Sequence, residues 1–412
     1  MRASLERMPE LLAHPSFVRF WCARVAAVAG MQMLMLTIGW HMYELTASAW
    51  DLGLVGLFQF GPALAMTLPA GHAADRHHRA RIVALCLSAQ AVVAVLLVAG
   101  TLAHAVSREW LLVLSAVLGA IRPFQMSAQQ ALLPSLVPAP LLARATAVTS
   151  TGTQAAVIGG PAIGGLIFAA SVNAVYIVCT ALFCGAALAC LWVRYERQPV
   201  AREPVSMSTL LAGVRYVWGH PVLLGAVSLD LFAVLLGGAT ALLPIFAKEI
   251  LHVGPEGLGV LRSAPAVGAL AAGVVLSHVA LERRVGRKLL VAVAVFGLCM
   301  VVFGLSTSFW LSLLALAVSG AADMVSVVVR QTLVQLETPD QMRGRVAAVN
   351  TLFIGASNQL GEFESGVTAA AFGPVGSVVL GGLGTIGISL AWWRLFRPLA
   401  ERDALTGPHR NA

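Results

Sequence analysis

The 412-residue chain predicts an all-α polytopic membrane protein, with twelve transmembrane helices in two pseudo-symmetric six-helix halves. Three observations carry that prediction. The composition is 58% hydrophobic and 11% charged, with mean hydropathy +0.83, whereas a soluble domain is about a quarter charged. Apolar runs of roughly 18 residues or more recur along the whole chain, the length that crosses a bilayer core as a helix. The two halves of the sequence also repeat one another at nearly constant offset.

The apolar runs place spans at 17–43, 51–73, 81–104, 109–132, 142–170, 172–194, 222–246, 256–280, 288–306, 309–333, 345–371 and 374–397. The longest polar gap, residues 194–221, reads RYERQPVAREPVSMSTLLAGVRYVWGHP. Pro199 and Pro204 break regular structure there, and TLLAGVRYVW suits a short surface helix. This cytoplasmic linker separates an N-terminal half, 1–193, from a C-terminal half, 222–412, that ends in a short cytoplasmic tail. The opening MRASLERMPELLAHPSFVRF is polar and proline-broken, unlike a cleavable signal peptide.

Basic residues orient the spans, because Lys and Arg stay on the cytoplasmic side. Arg76, Arg79 and Arg81 follow span 2, and Arg194, Arg197, Arg202 and Arg215 occupy the central loop. Arg283, Arg284, Arg287 and Lys288 follow span 8, Arg343 and Arg345 follow span 10, and Arg394, Arg397, Arg402 and Arg410 lie in the tail. The alternate loops hold only Arg108 and Lys248. Both termini are therefore expected in the cytoplasm, with the chain in a bacterial inner membrane. The formal charge of +8 is a topology signal and calls for no nucleic-acid partner. A polybasic lipid-binding role is the alternative, although the charges are spread over six places.

The six cysteines all fall in apolar runs and read as small buried packing residues. None has metal-ligand spacing with a histidine, and the adjacent His77 and His78 face different ways. No metal or cofactor is expected. The chain contains no His-Glu-x-x-His, no Walker loop and no Gly-x-Ser-x-Gly, so an enzyme is not expected either.

The repeat has three parts. QALLPSLVPAPLLARATAV (130–148) aligns with QTLVQLETPDQMRGRVAAV (331–349) without gaps, pairing Gln130 with Gln331, Pro138 with Pro339 and Arg144 with Arg345. At the same offset GGPAIGG (159–165) lies over LGEFESG (360–366), so Gly160 meets Gly361, Pro161 meets Glu362 and Gly165 meets Gly366. At a slightly larger offset GHAADRHHRAR (71–81) lies over VALERRVGRKL (279–289), pairing Arg76 with Arg284 and Arg79 with Arg287. Duplicated halves of this kind mark many secondary transporters, whose substrate site lies near the midplane.

The motifs resemble those of the major facilitator superfamily. The loop after span 2 carries the superfamily signature as Gly71, Asp75, Arg76 and Arg79, departing from it at His78 and Ala80. Gly71 permits close helix approach, and Asp75 with the arginines can form charge-assisted bonds that latch the cytoplasmic side. Span 5 carries the core of the antiporter motif as Gly160, Pro161, Gly164 and Gly165, which in the family accompanies export. The same residues also read as a packing motif, since proline and small side chains let helices kink and approach. Span 4 holds Leu118, Arg122 and Gln125 in the order of a proton-antiporter motif. Over roughly residues 12–398 the chain most resembles the siderophore-exporter branch, including the enterobactin exporters, through LTASAWDLGLVGLFQFGPALAMTLPAGHAADRHHRARIV, RPFQMSAQQALLPSLVP, ALLPIFAKEILHVGPEGLGVLRSAPAVGAL and SNQLGEFESG.

Ionisable residues inside a bilayer are costly and mostly functional. Arg24, Arg122, Asp230, Arg262, Asp323, Glu362 and Glu364 fall within the spans, while Arg330 lies near the end of span 10 and is expected at the interface. The resemblance implies that spans 1, 4, 7 and 10 line a central cavity, which brings Arg122, Asp230 and Asp323 to it with Gln32 and Gln125 as polar companions. A carboxylate removed from water holds its proton more tightly, as proton coupling requires; alternatively each Asp is a structural partner of an Arg in its own half. On span 11, Asn358 and Glu362 share one stripe and Glu364 points nearly opposite, so at least one glutamate is expected to meet a base, Arg122 or Arg262. The resemblance thus implies a proton-driven exporter of a siderophore or similar small polar metabolite. It is expected to be a monomer in the lipid bilayer whose partners are substrate and protons. Multidrug efflux of lipophilic compounds and a non-transporting sensor or scaffold are the other readings.

Overall fold

A computed structural model describes residue 11 and residues 13–195, 207–278 and 283–403. Pro199, Pro204, Arg197, Arg202 and Arg410 lie outside the described residues, as does much of the linker expected at 194–221. All regular structure among the described residues is helical. The helices are α1 (Pro15–Thr46), α2 (Ala49–Arg76), α3 (Arg79–Leu102), α4 (Arg108–Leu132), α5 (Ala139–Ala170), α6 (Val172–Leu191), α7 (Met207–Gly219), α8 (Pro221–Leu236), α9 (Pro255–His278), α10 (Val285–Leu305), α11 (Phe309–Glu337), α12 (Asp340–Leu395) and α13 (Arg397–Ala400).

Local chemistry sets several of these starts. Pro15, Pro221 and Pro255 each stand at the first helical position, where a missing N–H goes unneeded. Ser107 caps α4 by accepting from the Trp110 N–H at 3.3 Å. Helix α7 lies within the linker, where a short surface helix is expected from the sequence.

Among the described residues, eleven helical stretches are long and apolar enough to span a membrane. The sequence leads to twelve, and the difference lies in α12. Its apolar stretch, Phe353–Leu395, has 43 residues, about 65 Å at 1.5 Å per residue, roughly twice a bilayer core. At Gly373 the backbone leaves the helical region (φ 77, ψ 161), and Pro374 follows. Only glycine enters that conformation cheaply. The break divides α12 into two legs.

The chain forms two compact units. The first comprises Met1–Thr46, Phe58–Val205 and Gly254–Ser263; the second comprises Ala47–Leu57, Ser206–Val253 and Ala264–Ala412. In the first, α1 packs on α5 and α6, and α3 packs on α4 and α6. Phe17, Phe20, Ala80, Leu132, Leu141 and Val193 form a buried cluster at one end. In the second, α10 packs on α11 and α12, and α8 packs on α12. Ala226, Leu229, Val285, Leu289, Val329, Leu333 and Leu399 form its cluster.

Each unit closes its third span in a similar way. In the first, Tyr195, just past α6, accepts from the backbone N–H of Arg79 at 2.9 Å and packs against His78, ring centroids 4.6 Å apart. In the second, Asp403, just past α13, accepts from the backbone N–H of Arg284 at 3.1 Å. The Val285 and Gly286 N–H groups donate to the carbonyls of Asp403 and Arg402. These are the orphan donors of a helix start, satisfied by the strand of chain that leaves the last span.

Cys22 and Cys184 are exposed, contrary to the expectation that all six cysteines are buried; Cys86, Cys179, Cys190 and Cys299 are buried. Apolar surroundings in the sequence do not distinguish a packed face from an outward one.

Candidate functional site

Helix α8 stops at Leu236 within an apolar stretch that continues to Ile250. Gly237 donates to the Ala233 carbonyl, and the chain resumes as a 3-10 turn, Ala239–Leu242. A side chain at Gly238 would collide with the Gly361 carbonyl of α12. The close approach therefore demands glycine and unwinds the span at that level. Unwound spans at membrane depth persist where they line a cavity.

A cavity of about 200 Å³ opens at this break, inside the second unit. Gly237, Gly238 and Thr240 line it from the break, with Phe296 from α10, Asp323 and Ser326 from α11, and Asn358 and Glu362 from α12. Asp230 reaches it from α8, one to two turns before the break. Four of the residues singled out from the sequence thus meet here: Asp230, Asp323, Asn358 and Glu362.

The two aspartates differ in their surroundings. Asp230 forms a buried ion pair with Arg330. Arg330 is only 2% exposed, so the sequence-based expectation of an interfacial arginine is corrected. It lies seven residues after Asp323, two turns along the same face of α11, and that face turns toward α8. Asp323 forms no hydrogen bond or ion pair among the described residues and faces the cavity. Asn358 donates to the Ile354 carbonyl of its own helix at 2.8 Å, leaving its amide oxygen available.

Glu364 does not line the cavity. Neither it nor Arg122 forms an ion pair among the described residues. Arg122 is exposed on α4, and Gln125 accepts from Gln90 at 2.6 Å. Gln32 packs against α5, its Cβ 2.9 Å from where a Gly160 Cβ would lie. Gln32, Arg122 and Gln125 belong to the first unit and do not line the cavity of the second.

The motif residues organise backbone. Gly164 admits Met33, whose Cγ would lie 3.0 Å from a Cβ there. Gly165 meets the Pro255 carbonyl, and the Pro161 carbonyl meets Gly259. Ser263 adds a hydrogen bond to the Ile158 carbonyl at 2.6 Å. In the second unit the repeat partner of Gly165, Gly366, is crossed by Gly53, where a Cβ would come within 3.0 Å of the Gly366 Cα. Gly56 sits beside Glu362, a Cβ there falling 2.9 Å from the glutamate Cβ. Gly71, Asp75 and Arg76 end α2, the latter two exposed. Arg79 donates to the Ala131 carbonyl at 2.9 Å and to the Ala74 carbonyl at 3.4 Å, tying the ends of α2, α3 and α4 together.

Sequence reading passed over Gly237–Gly238, Thr240, Phe296 and Ser326. A glycine pair inside an apolar run was the available signal, since interrupted spans point to binding sites. The others become visible only when α8, α10, α11 and α12 are packed.

Among known proteins, the enterobactin exporter EntS of Citrobacter koseri is 24% identical over 381 residues, covering 92% of this chain and 91% of that one. The enterobactin exporter EntS of Shigella dysenteriae is 24% identical over 377 residues, covering 91% and 90%. Solved transporter structures share the fold. A bacterial homologue of the human lysosomal transporter Spinster, inward-facing and occupied, superposes with a TM-score of 0.72 at 15% identity, covering 94% and 98%. The nucleoside transporter NupG gives 0.66 at 16% identity, covering 94% and 99%. The model of the transmembrane secretion effector family matches residues 10–407. This chain therefore belongs to the transmembrane secretion effector family of the major facilitator superfamily and is a multi-pass membrane transporter, not an enzyme.

Proposed function

We propose that the protein is a proton-driven exporter that carries a siderophore or similar small polar metabolite out of the cytoplasm across a bacterial inner membrane. In this reading both termini are cytoplasmic, and one monomer works through halves 1–193 and 222–412 joined by the 194–221 linker. The substrate class rests on the exporters it resembles, whose names specify enterobactin. The coupling rests on one observation: Asp323 faces a small cavity beside a broken helix with no partner among the described residues.

Size supports a coupling role for this cavity. At about 200 Å³ it falls below the roughly 300–1,000 Å³ of ordinary ligand pockets. A proton site needs only a carboxylate that can be reached and returned. Asp230 is the weaker candidate, because protonating it would leave Arg330 as an unpaired buried charge. Asp323 carries no such penalty. Glu362 and Asn358 share its cavity as polar neighbours, while Gln32, Arg122, Gln125 and Glu364 are assigned supporting positions away from the proton. Gly71, Asp75, Arg76 and Arg79 serve as the cytoplasmic gate, and Gly160, Pro161, Gly164 and Gly165 as the packing surface of the export motif.

Deleting the gene and measuring iron-chelating compound in spent medium under iron limitation tests the substrate. A fall in the secreted chelator is expected, restored by the wild-type gene but not by Asp323→Asn. Unchanged secretion would remove the siderophore reading.

A further inference from the structure

The basic residues that the sequence scatters over separate segments are gathered by the fold at one end of the second unit. Ser389 of α12 donates to the Leu290 carbonyl of α10 at 2.7 Å, and α10 begins at the end where α12 finishes. Arg394 lies five residues beyond Ser389 and Arg287 three before Leu290, about 7.5 Å and 4.5 Å toward that end at 1.5 Å per residue. The two arginines therefore stand within about 3 Å of the same level. Leu399 and Ala400 tuck helix α13 against Val285 and Leu289, which brings Arg397 alongside.

Arg283, Arg287, Lys288, Arg394 and Arg397 are all exposed. Among the described residues none of the five forms an ion pair. Of the nearby described acids, Glu337 pairs with Arg402, Asp403 accepts from the Arg284 backbone, and Glu401 is exposed and forms no ion pair with any of the five. The first N–H groups of α10 are likewise taken by the tail. What remains is a cluster of exposed side-chain charges that form no ion pair among the described residues. At the same level Trp393 is 40% and Leu395 71% exposed, apolar surface suited to the boundary between headgroups and acyl chains.

We propose that this end of the second unit is a binding site for anionic phospholipid, with Arg283, Arg287, Lys288, Arg394 and Arg397 holding the headgroup phosphate and Trp393 and Leu395 resting on the acyl chains. Clusters of bases immediately beside a span attract anionic headgroups, and each contributes about 1 kcal/mol, close to 5-fold in affinity. The site is independent of the substrate and of the proton pathway.

The test uses the full chain in phosphatidylcholine nanodiscs, titrated with phosphatidylglycerol and, separately, with inorganic phosphate. Retained phosphatidylglycerol is counted by native mass spectrometry, and thermal stability is followed in parallel. Phosphatidylglycerol should be retained and should raise the melting temperature, whereas inorganic phosphate at equal concentration should not. Arg394→Gln with Arg397→Gln should weaken retention about 25-fold, and Arg283→Gln, Arg287→Gln and Lys288→Gln together should weaken it further. The paired variant replaces two exposed side chains and is expected to fold even if the triple variant does not. Equal retention of phosphatidylcholine, an equal response to inorganic phosphate, or unchanged retention in the paired variant would each overturn the proposal.

Discussion

Arg330 lies two turns beyond Asp323 on the same face of α11, and it reaches Asp230 across to α8. Removing one partner of a buried pair leaves an uncompensated charge, which costs about 3–5 kcal/mol. Asp230→Asn should therefore lower the melting temperature of the purified protein sharply. Changing both residues to apolar side chains of similar size, Asp230→Leu with Arg330→Met, should recover most of that loss. Asp323→Asn should behave in the opposite sense, abolishing transport while leaving stability unchanged or raised, because no partner is stranded. If thermal melting placed the two aspartates in the reverse order, the assignment of pair and proton site would be wrong. Glu364 lies outside the cavity, and Glu364→Gln should retain transport in the same assay.

At the scale of elements, glycines decide where helices break and cross. Gly238→Val would drive a branched side chain into the Gly361 carbonyl, and the loss of folded protein should show as aggregation in size-exclusion chromatography. Gly185→Ala, where a Cβ meets open space, is the control and should be neutral or slightly stabilising in a helix. The tail clasp has its own test. Asp403→Ala removes a side-chain acceptor from the start of α10, a loss worth about 1 kcal/mol for a helix cap, read as a small fall in melting temperature. Some of this was legible from the sequence. GGPAIGG and its echo GEFESG announce close packing, and Gly165 and Gly366 do mark crossings. The interfacial reading of Arg330 failed because distance from a helix end says nothing about which face meets a neighbour. Asp403 could not be recognised as a cap, because a residue in a polar tail reveals its partner only when the tail docks.

At the scale of the whole molecule, membrane spans follow from hydropathy alone, since each span must satisfy its own backbone within lipid. The helical class was therefore readable with little tertiary knowledge; the differences were the continuity of α12 across Gly373 and the break that ends α8 at Leu236. The cavity was not readable, because four helices and an unwound segment must meet before Asp230, Asp323, Asn358 and Glu362 share one space. The central claim is that export depends on protons carried by Asp323. Everted membrane vesicles containing the protein, given iron-free enterobactin and an inwardly acidic proton gradient, test it most directly. Uptake should be driven by the gradient, collapse on addition of a protonophore, and be lost in Asp323→Asn but not in Glu364→Gln. Uptake that persisted in the presence of the protonophore, or equalled the wild type in Asp323→Asn, would contradict the account.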